Sequence, residues 1–92
     1  MYKFNRWGIK LLDSIIIKIS DIYIPAERKK ELDPVKVENF AESLLNEKEL
    51  KPLRVRKGNG RYVLVGGVNR LSAHQAVGED TVEAYVVRAR QF

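Results

Sequence analysis

The chain has 92 residues, of which 45% are hydrophobic and 32% are charged, and this size and composition predict one soluble globular domain. The absence of cysteine excludes disulfides, a thiolate nucleophile and Cys-ligated metal sites, and the single histidine, His74, argues against a multi-histidine metal centre. The formal net charge of +5 favours an anionic partner such as a nucleotide or nucleic acid, but is equally typical of a solubilising surface.

The basic charge is concentrated towards the two ends of the chain. Residues 1–20 carry four basic and one acidic side chains, residues 21–50 carry five and eight, and residues 51–92 carry eight and three. No apolar run approaches the length of a membrane span, and the first residues lack the apolar core of a signal peptide. We therefore expect a cytoplasmic protein with no membrane partner, whose oligomeric state the sequence does not predict.

The first 14 residues are predicted to be an N-terminal extension, because their apolar side chains fit neither the helical nor the strand period. The β-branched residues 15–19 predict the first strand, residues 20–22 predict a turn, and Pro25 ends the regular structure. The charged residues 26–31 predict a loop or a frayed turn.

Asp33 and Pro34 predict the start of a helix, because aspartate is a favoured N-cap and proline suits the first helical position. Apolar side chains then recur at helical spacing to about residue 46. Three polar side chains, spaced three and four apart, share another strip of this helix: Lys36, Asn39 and Ser43. Taken alone, a solvated helix face is the simpler explanation of this strip.

Residues 53–56 and 61–65 predict a β-hairpin whose loop, residues 57–60, contains two glycines. If Arg56 pairs with Arg61, apolar side chains share one face of the hairpin and basic side chains share the other. The basic side chains are candidates for sequence-independent contact with a nucleic-acid backbone: Arg54, Arg56, Lys57 and Arg61. A solvated sheet face is the alternative, because no exposed aromatic residue is expected between these cations to stack on bases.

The most informative segment is the glycine pair Gly66-Gly67, which joins the second hairpin strand to a helix predicted over residues 68–77. Glycine permits a sharp turn and a close approach of ligand to backbone, and the N–H groups of a helix start favour an anion. Arg70 can donate two parallel hydrogen bonds to a phosphate. The segment therefore predicts a phosphate cradle, with a tight turn that binds nothing as the alternative.

Gly78 is predicted to follow this helix, and residues 81–87 predict the last strand. The order of strand, helix, hairpin, helix and strand predicts a compact mixed α+β domain.

Ordered short motifs over residues 15–87 resemble the ParB/sulfiredoxin superfamily. They include Leu32-Asp33-Pro34, the strand led by Pro52, and the turn Gly66-Gly67-Val68-Asn69-Arg70. The resemblance implies one domain over residues 15–92, with a small mixed sheet, a β-hairpin and two main helices. It also implies binding of ATP or ADP, with Mg²⁺ accompanying the nucleotide and no metal site made by the protein alone.

The resemblance places the nucleotide between the first helix and the glycine turn. The residues implied to contact it are Arg28, Lys36, Asn39, Ser43, Gly66, Gly67, Val68, Asn69 and Arg70. Val68 stands where sulfiredoxins carry their cysteine, so sulfiredoxin chemistry is excluded. Glu27 is the candidate catalytic residue for weak Mg²⁺-dependent ATP hydrolysis or phosphoryl transfer, and Glu31 is the other carboxylate of the same loop.

Two other functions are consistent with the same residues. One is a DNA-binding or nuclease-like protein that uses the basic hairpin face, and the other is a non-catalytic adaptor. Neither a phosphoryl acceptor nor a preference between ATP, ADP and CTP follows from the sequence. Salt dependence separates these functions, because contacts with a DNA backbone weaken steeply as salt increases.

Overall fold

The computed structural model describes residues 3–4, 10–11 and 14–87 of the chain. Its strands are β1 (Lys3–Phe4), β2 (Lys10–Leu11), β3 (Ser14–Lys18), β4 (Ile22–Tyr23), β5 (Leu53–Lys57), β6 (Tyr62–Gly66) and β7 (Thr81–Val86). Its helices are α1 (Ala26–Lys29), α2 (Pro34–Leu45) and α3 (Val68–Ala76), and a 3-10 turn spans Ile19–Asp21. The α+β class predicted from the sequence is confirmed.

Strands β3 to β7 form one mixed sheet in the order β3-β7-β5-β6-β4. The pairs β3–β7 and β5–β6 are antiparallel, whereas β5–β7 and β4–β6 are parallel. The hairpin strands β5 and β6 are therefore interior strands of the sheet. β1 and β2 form a separate antiparallel pair.

The core lies between this sheet and α3. Its buried side chains are Ile17, Leu53, Val55, Leu64, Val68, Leu71, Val82 and Ala84. Helix α2 packs against α3 and has no fully buried residue. Helix α3 therefore packs against both α2 and the sheet, and the turn that precedes α3 lies next to the core.

Helix α2 begins where the sequence predicts. Asp33 has extended backbone, and its carboxylate accepts a 3.0 Å hydrogen bond from the N–H of Val35. Pro34 occupies the first helical position, where its missing N–H leaves no intrahelical bond unmade. Gly78, after α3, has a positive φ of 85°, as expected for a residue that follows a helix.

The hairpin register differs by two residues from the expected one. Arg56 lies opposite Val63 rather than Arg61, so the loop comprises residues 58–61, closed by a 2.7 Å hydrogen bond from Gly58 N–H to the Arg61 carbonyl. A shift of two residues keeps every side chain on its face of the sheet, so the predicted apolar and basic faces remain. Val63 is the exception: it shares a face with Arg56 but is buried.

Two elements are too short for a periodic pattern to reveal. Residues 26–29, expected to be a loop or frayed turn, form the single helical turn α1, and β4 has only two residues. Most of the N-terminal extension predicted over residues 1–14 lies outside the described residues. In the part of the chain that the structure describes, no helix is both long and apolar enough to cross a membrane.

Candidate functional site

A bulge in the hairpin shapes the turn that leads into α3. Val55 pairs with Leu64 but Arg54 pairs with Gly66, so Val65 is an extra residue on β6. Arg54 therefore lies opposite a residue without a side chain. Its guanidinium group fills the vacant space, because a Cβ built on Gly66 would lie only 2.3 Å from Arg54 Nη2.

Gly67 turns the chain from β6 into α3. Its φ of 101° lies in the left-handed region, and a Cβ here would lie 2.8 Å from both Arg70 Nη2 and Leu53 Cδ2. Backbone conformation and close packing both require glycine at this position. The N-cap residue of α3 is Gly67, which has no side chain that could accept a bond from the N–H groups of the first turn.

A cavity of about 500 Å³ opens at this turn, which is within the range of roughly 300–1,000 Å³ typical of small-molecule sites. The residues that line it are Arg28, Glu31, Lys36, Phe40, Arg54, Val65, Gly66, Gly67, Val68, Asn69 and Arg70. Four of these side chains are cationic and one is a carboxylate. The cavity is therefore suited to an anionic ligand.

Arg70 carries a charge that the described protein does not neutralise. Its Nε is buried and has no hydrogen-bond partner among the described residues. Burial, and secondarily the charge of Arg54, lower the pKa of the Arg70 guanidinium from its ordinary value. An arginine nevertheless keeps its proton at neutral pH. Arg70 thus remains a cation with an unused donor at the wall of the cavity.

Arg28 is already neutralised. Its guanidinium lies 3.3 Å from the carboxylate of Glu31, three residues along the chain, and donates a 3.3 Å hydrogen bond to the carbonyl of Val65. These contacts tie α1 to the end of β6. Within the lining, Arg28 therefore adds less uncompensated charge than Arg70 does.

Asn69 holds the loop between α1 and α2 against α3. Its Oδ1 accepts a 2.8 Å hydrogen bond from the N–H of Asp33, and its Nδ2 donates a 3.1 Å bond to the carbonyl of Glu31. The family resemblance implied that Asn69 contacts the nucleotide. In the structure both ends of its amide bind backbone groups, so the geometry favours a role in positioning the cavity wall.

The fold and the sequence together place this chain in a family. The family model described as the ParB N-terminal domain matches residues 12–91. The chain belongs to the ParB N-terminal domain family. It is 36% identical over 59 residues to a probable chromosome-partitioning protein ParB from Pseudomonas putida, a match that covers 63% of this chain and 20% of that protein. The chain thus spans about a fifth of the length of the curated relatives it matches.

Solved structures of three kinds share this ParB-type fold. Sulfiredoxin from Arabidopsis thaliana matches with a TM-score of 0.73 and 23% identity, over 84% of this chain and 86% of that one. ParB from Caulobacter crescentus complexed with CTP-gamma-S matches at 0.71 and 23%, over 86% and 46%. A free serine kinase in complex with AMP matches at 0.72 and 22%, over 92% and 36%. These likenesses confirm the predicted ParB/sulfiredoxin fold.

The cavity of this ParB-type domain is lined by all five residues of the predicted glycine turn, together with Arg28 and Lys36. Asn39 and Ser43, which share the predicted strip with Lys36, are not among its lining residues. The side chain that accompanies Lys36 is Phe40, four residues later and therefore on the same helix face. The α2 wall is thus one cation and one aromatic ring.

The two carboxylates of the α1 region lie in different places. Glu27, the candidate catalytic residue, is exposed, lies 3.3 Å from Lys30 Nζ and does not line the cavity. Glu31 does line it. A sequence pattern does not show which of two glutamates in one short charged segment faces the cavity, because that depends on how α1 is oriented.

The four basic hairpin residues also lie in different surroundings. Arg54, Arg56 and Lys57 are all exposed, but of these three only Arg54 lines the cavity. Arg61 lies over the ring of Tyr23, 4.0 Å from its centre, and Tyr23 is 45% exposed. An aromatic side chain from β4 therefore accompanies the cations, which the hairpin sequence alone does not reveal. Nucleic-acid binding by these residues stays a prediction.

Proposed function

We propose that this ParB-type domain binds a nucleoside diphosphate or triphosphate in the cavity beside Gly66-Gly67, with the phosphates at the start of α3. The observation that carries the proposal is the concentration of four cationic side chains, against one carboxylate, at an uncapped helix start. The complexes of a ParB with CTP-gamma-S and of a free serine kinase with AMP support it.

The first turn of α3 would supply most of the phosphate contacts. Backbone N–H groups that lack acceptors within the helix can donate to phosphate oxygens, and Arg70 can add a charge-assisted pair of bonds. Lys36 adds a further positive charge from α2, and Phe40 offers an apolar surface on the same wall. ATP and ADP are the ligands we propose first, with CTP as the comparison.

Mg²⁺ would accompany the phosphates rather than be held by the protein. Among the described residues, no group of three or more His, Cys, Asp or Glu side chains could hold a metal ion. The cavity offers one carboxylate, Glu31, and that group already pairs with Arg28. These residues suit an ion that arrives with its own phosphate ligands, which would neutralise charge on the phosphates when bound.

Calorimetric titration of the whole chain with ATP, ADP and CTP, each with and without Mg²⁺, tests this function. Adenosine and cytidine are the matched controls, because they keep the base and sugar but lack the anion. We expect nucleotides to bind about 100-fold more tightly than the nucleosides, since hydrogen bonds to charged groups are worth about 1.5–3 kcal/mol each. Equal binding of nucleotide and nucleoside, or no binding of either, contradicts the proposal.

Weak Mg²⁺-dependent hydrolysis or phosphoryl transfer is a further hypothesis for the same site. Such chemistry needs a group that orients water or an acceptor, in addition to charge neutralisation. Glu27 is the candidate for this role from the sequence. Glu31 is the carboxylate to compare with it, because Glu31 lines the cavity. Steady-state turnover of ATP by the two glutamine variants distinguishes them.

A further inference from the structure

Two guanidinium groups lie against consecutive backbone residues of the turn. A Cβ on Gly66 would lie 2.3 Å from Nη2 of Arg54, and a Cβ on Gly67 would lie 2.8 Å from Nη2 of Arg70. Arg54 comes from β5 and Arg70 from α3, so the bulge and the turn between β6 and α3 both contribute to bringing them together. Both side chains line the same cavity.

The two arginines repel each other and are not neutralised. The charge of Arg54 contributes to the lowered pKa of Arg70, which means that the two groups interact. Neither forms an ion pair with a carboxylate of residues 14–87, whereas Arg28 in the same cavity pairs with Glu31. Two like charges held side by side without a counter-ion repel each other, and water at the exposed Arg54 screens part of this repulsion. An anion between them would remove that repulsion.

We propose that Arg54 and Arg70 together bind the outer phosphates of the ligand, and that Arg54 makes the site select ligands by their number of phosphates. This proposal rests on the nucleotide site proposed above and adds the residue that sets its specificity. Arg70 starts from the first turn of α3 and contacts phosphate that any nucleotide carries. Arg54 adds a second fork of donors, which only a ligand with additional phosphate oxygens engages fully.

The test compares wild-type protein with the variants Arg54→Gln and Arg56→Gln. Arg56 is the matched control for nucleotide binding, because it lies two residues along the same strand, on the same face, and outside the cavity lining. The probes are AMP, ATP, CTP and inorganic tripolyphosphate, titrated by calorimetry. Tripolyphosphate carries the charge without the nucleoside, so it reports on the arginine pair separately from nucleotide recognition.

For Arg54→Gln we expect affinity for ATP, CTP and tripolyphosphate to fall by about 10- to 100-fold, and affinity for AMP by less than about threefold. Arg56→Gln should change each affinity by less than about twofold. Thermal unfolding without ligand provides the structural control. The Arg54→Gln variant should unfold at the same temperature as wild type or higher, because the repulsion between like charges is removed.

Four outcomes overturn the arginine pair: wild-type affinity for tripolyphosphate in Arg54→Gln, no binding of tripolyphosphate by wild type, equal losses in the Arg54 and Arg56 variants, or an equal loss for AMP and ATP. Any of these four outcomes, with ATP and CTP still bound by wild type, overturns the pair but leaves the proposed function standing. Arg54-dependent binding of tripolyphosphate, without binding of any nucleotide, supports the pair and overturns the proposed function.

Discussion

The β5–β6 hairpin carries basic side chains at both of its ends, and the two ends use them differently. At the bulge, Arg54 lies against Gly66, close to Arg70, and faces a cavity. At the hairpin tip, which we define as residues 57–61, Lys57 and Arg61 are exposed, as Arg54 is, but they lie outside that cavity, and Arg61 lies over Tyr23. The comparison teaches that the surroundings of each guanidinium, more than the number of basic residues, distinguish a cavity lining from a solvated surface.

The largest difference in stability between the two ends is expected at two glycines with positive φ. Gly67 (φ 101°) has Leu53 Cδ2 within 2.8 Å of its ideal Cβ position, whereas Gly60 (φ 73°), at the tip, has nothing within 4 Å. We expect Gly67→Ala to lower the free energy of unfolding by about 2–4 kcal/mol, from backbone strain and displacement of the buried Leu53. Gly60→Ala introduces backbone strain but no close contact, so it should lower the free energy of unfolding by about 1 kcal/mol. Urea denaturation measures both, and equal losses would remove the packing contribution at the turn.

Arg70 and Arg61 provide the matching comparison for ligand binding. Removing the Arg70 guanidinium deletes charge-assisted bonds to phosphate, so Arg70→Ala should weaken ATP binding by about 1.5–3 kcal/mol without unfolding the domain. Arg61→Ala removes a cation of the same type from the hairpin tip and should leave ATP affinity within about twofold of wild type. Calorimetry on the folded variants gives both values. Unchanged affinity in Arg70→Ala would exclude the phosphate cradle.

Asn69 and Asn59 allow a comparison between an amide side chain that forms hydrogen bonds and one that lies at the hairpin tip. Asn69→Ala leaves the N–H of Asp33 and the carbonyl of Glu31 without their side-chain partner. We expect it to lower stability by about 1–2 kcal/mol and to weaken ATP binding modestly, because the cavity wall is less well held. Asn59 is exposed in the hairpin loop, so Asn59→Ala should be nearly neutral. A larger loss at Asn59, measured by thermal unfolding, would contradict the assignment of Asn69 as a positioning residue.

The smallest expected effects come from the two glutamates of the α1 region. Glu31→Gln removes the carboxylate from the cavity lining and releases Arg28 from its ion pair, so ATP should bind more tightly by about 0.5–1 kcal/mol. Glu27→Gln disrupts only an exposed pair with Lys30 and should leave ATP affinity unchanged. ATP turnover measured on the same samples tests catalysis: full activity in Glu27→Gln excludes that residue from the reaction.

Local signals predicted the elements of this fold well. Asp33 and Pro34 marked the start of α2 because capping depends on neighbouring residues, and the glycine pair marked the passage from β6 to α3 for the same reason. The register considered for the hairpin was wrong by two residues, because its loop has two glycines and no single favoured turn. The strand β4 was missed because two residues cannot show an alternating pattern.

The glycine turn was the best-predicted part of the cavity lining, and the family resemblance also named Arg28 and Lys36, which line it. Arg54 was grouped with Arg56 because residues two apart on a regular strand share a face, and no residue type announces the bulge that gives them different surroundings. The side-chain bonds of Asn69 cross to residues more than 30 positions earlier in the chain, a distance at which sequence spacing carries no information. The one available hint for Arg54 was Gly66, a residue without a side chain near the end of a strand.

The bond from Asp33 N–H to the Asn69 side chain makes one loop amide a natural reporter of local opening. An amide of an irregular segment usually exchanges its proton with solvent rapidly, but this one is held by a side chain of α3 at 2.8 Å. Its deuterium exchange rate therefore depends on how often the loop before α2 separates from α3. Because the loop residue Glu31 also lines the cavity, the exchange rate at the single proton of Asp33 reports how firmly this part of the cavity wall is held against α3.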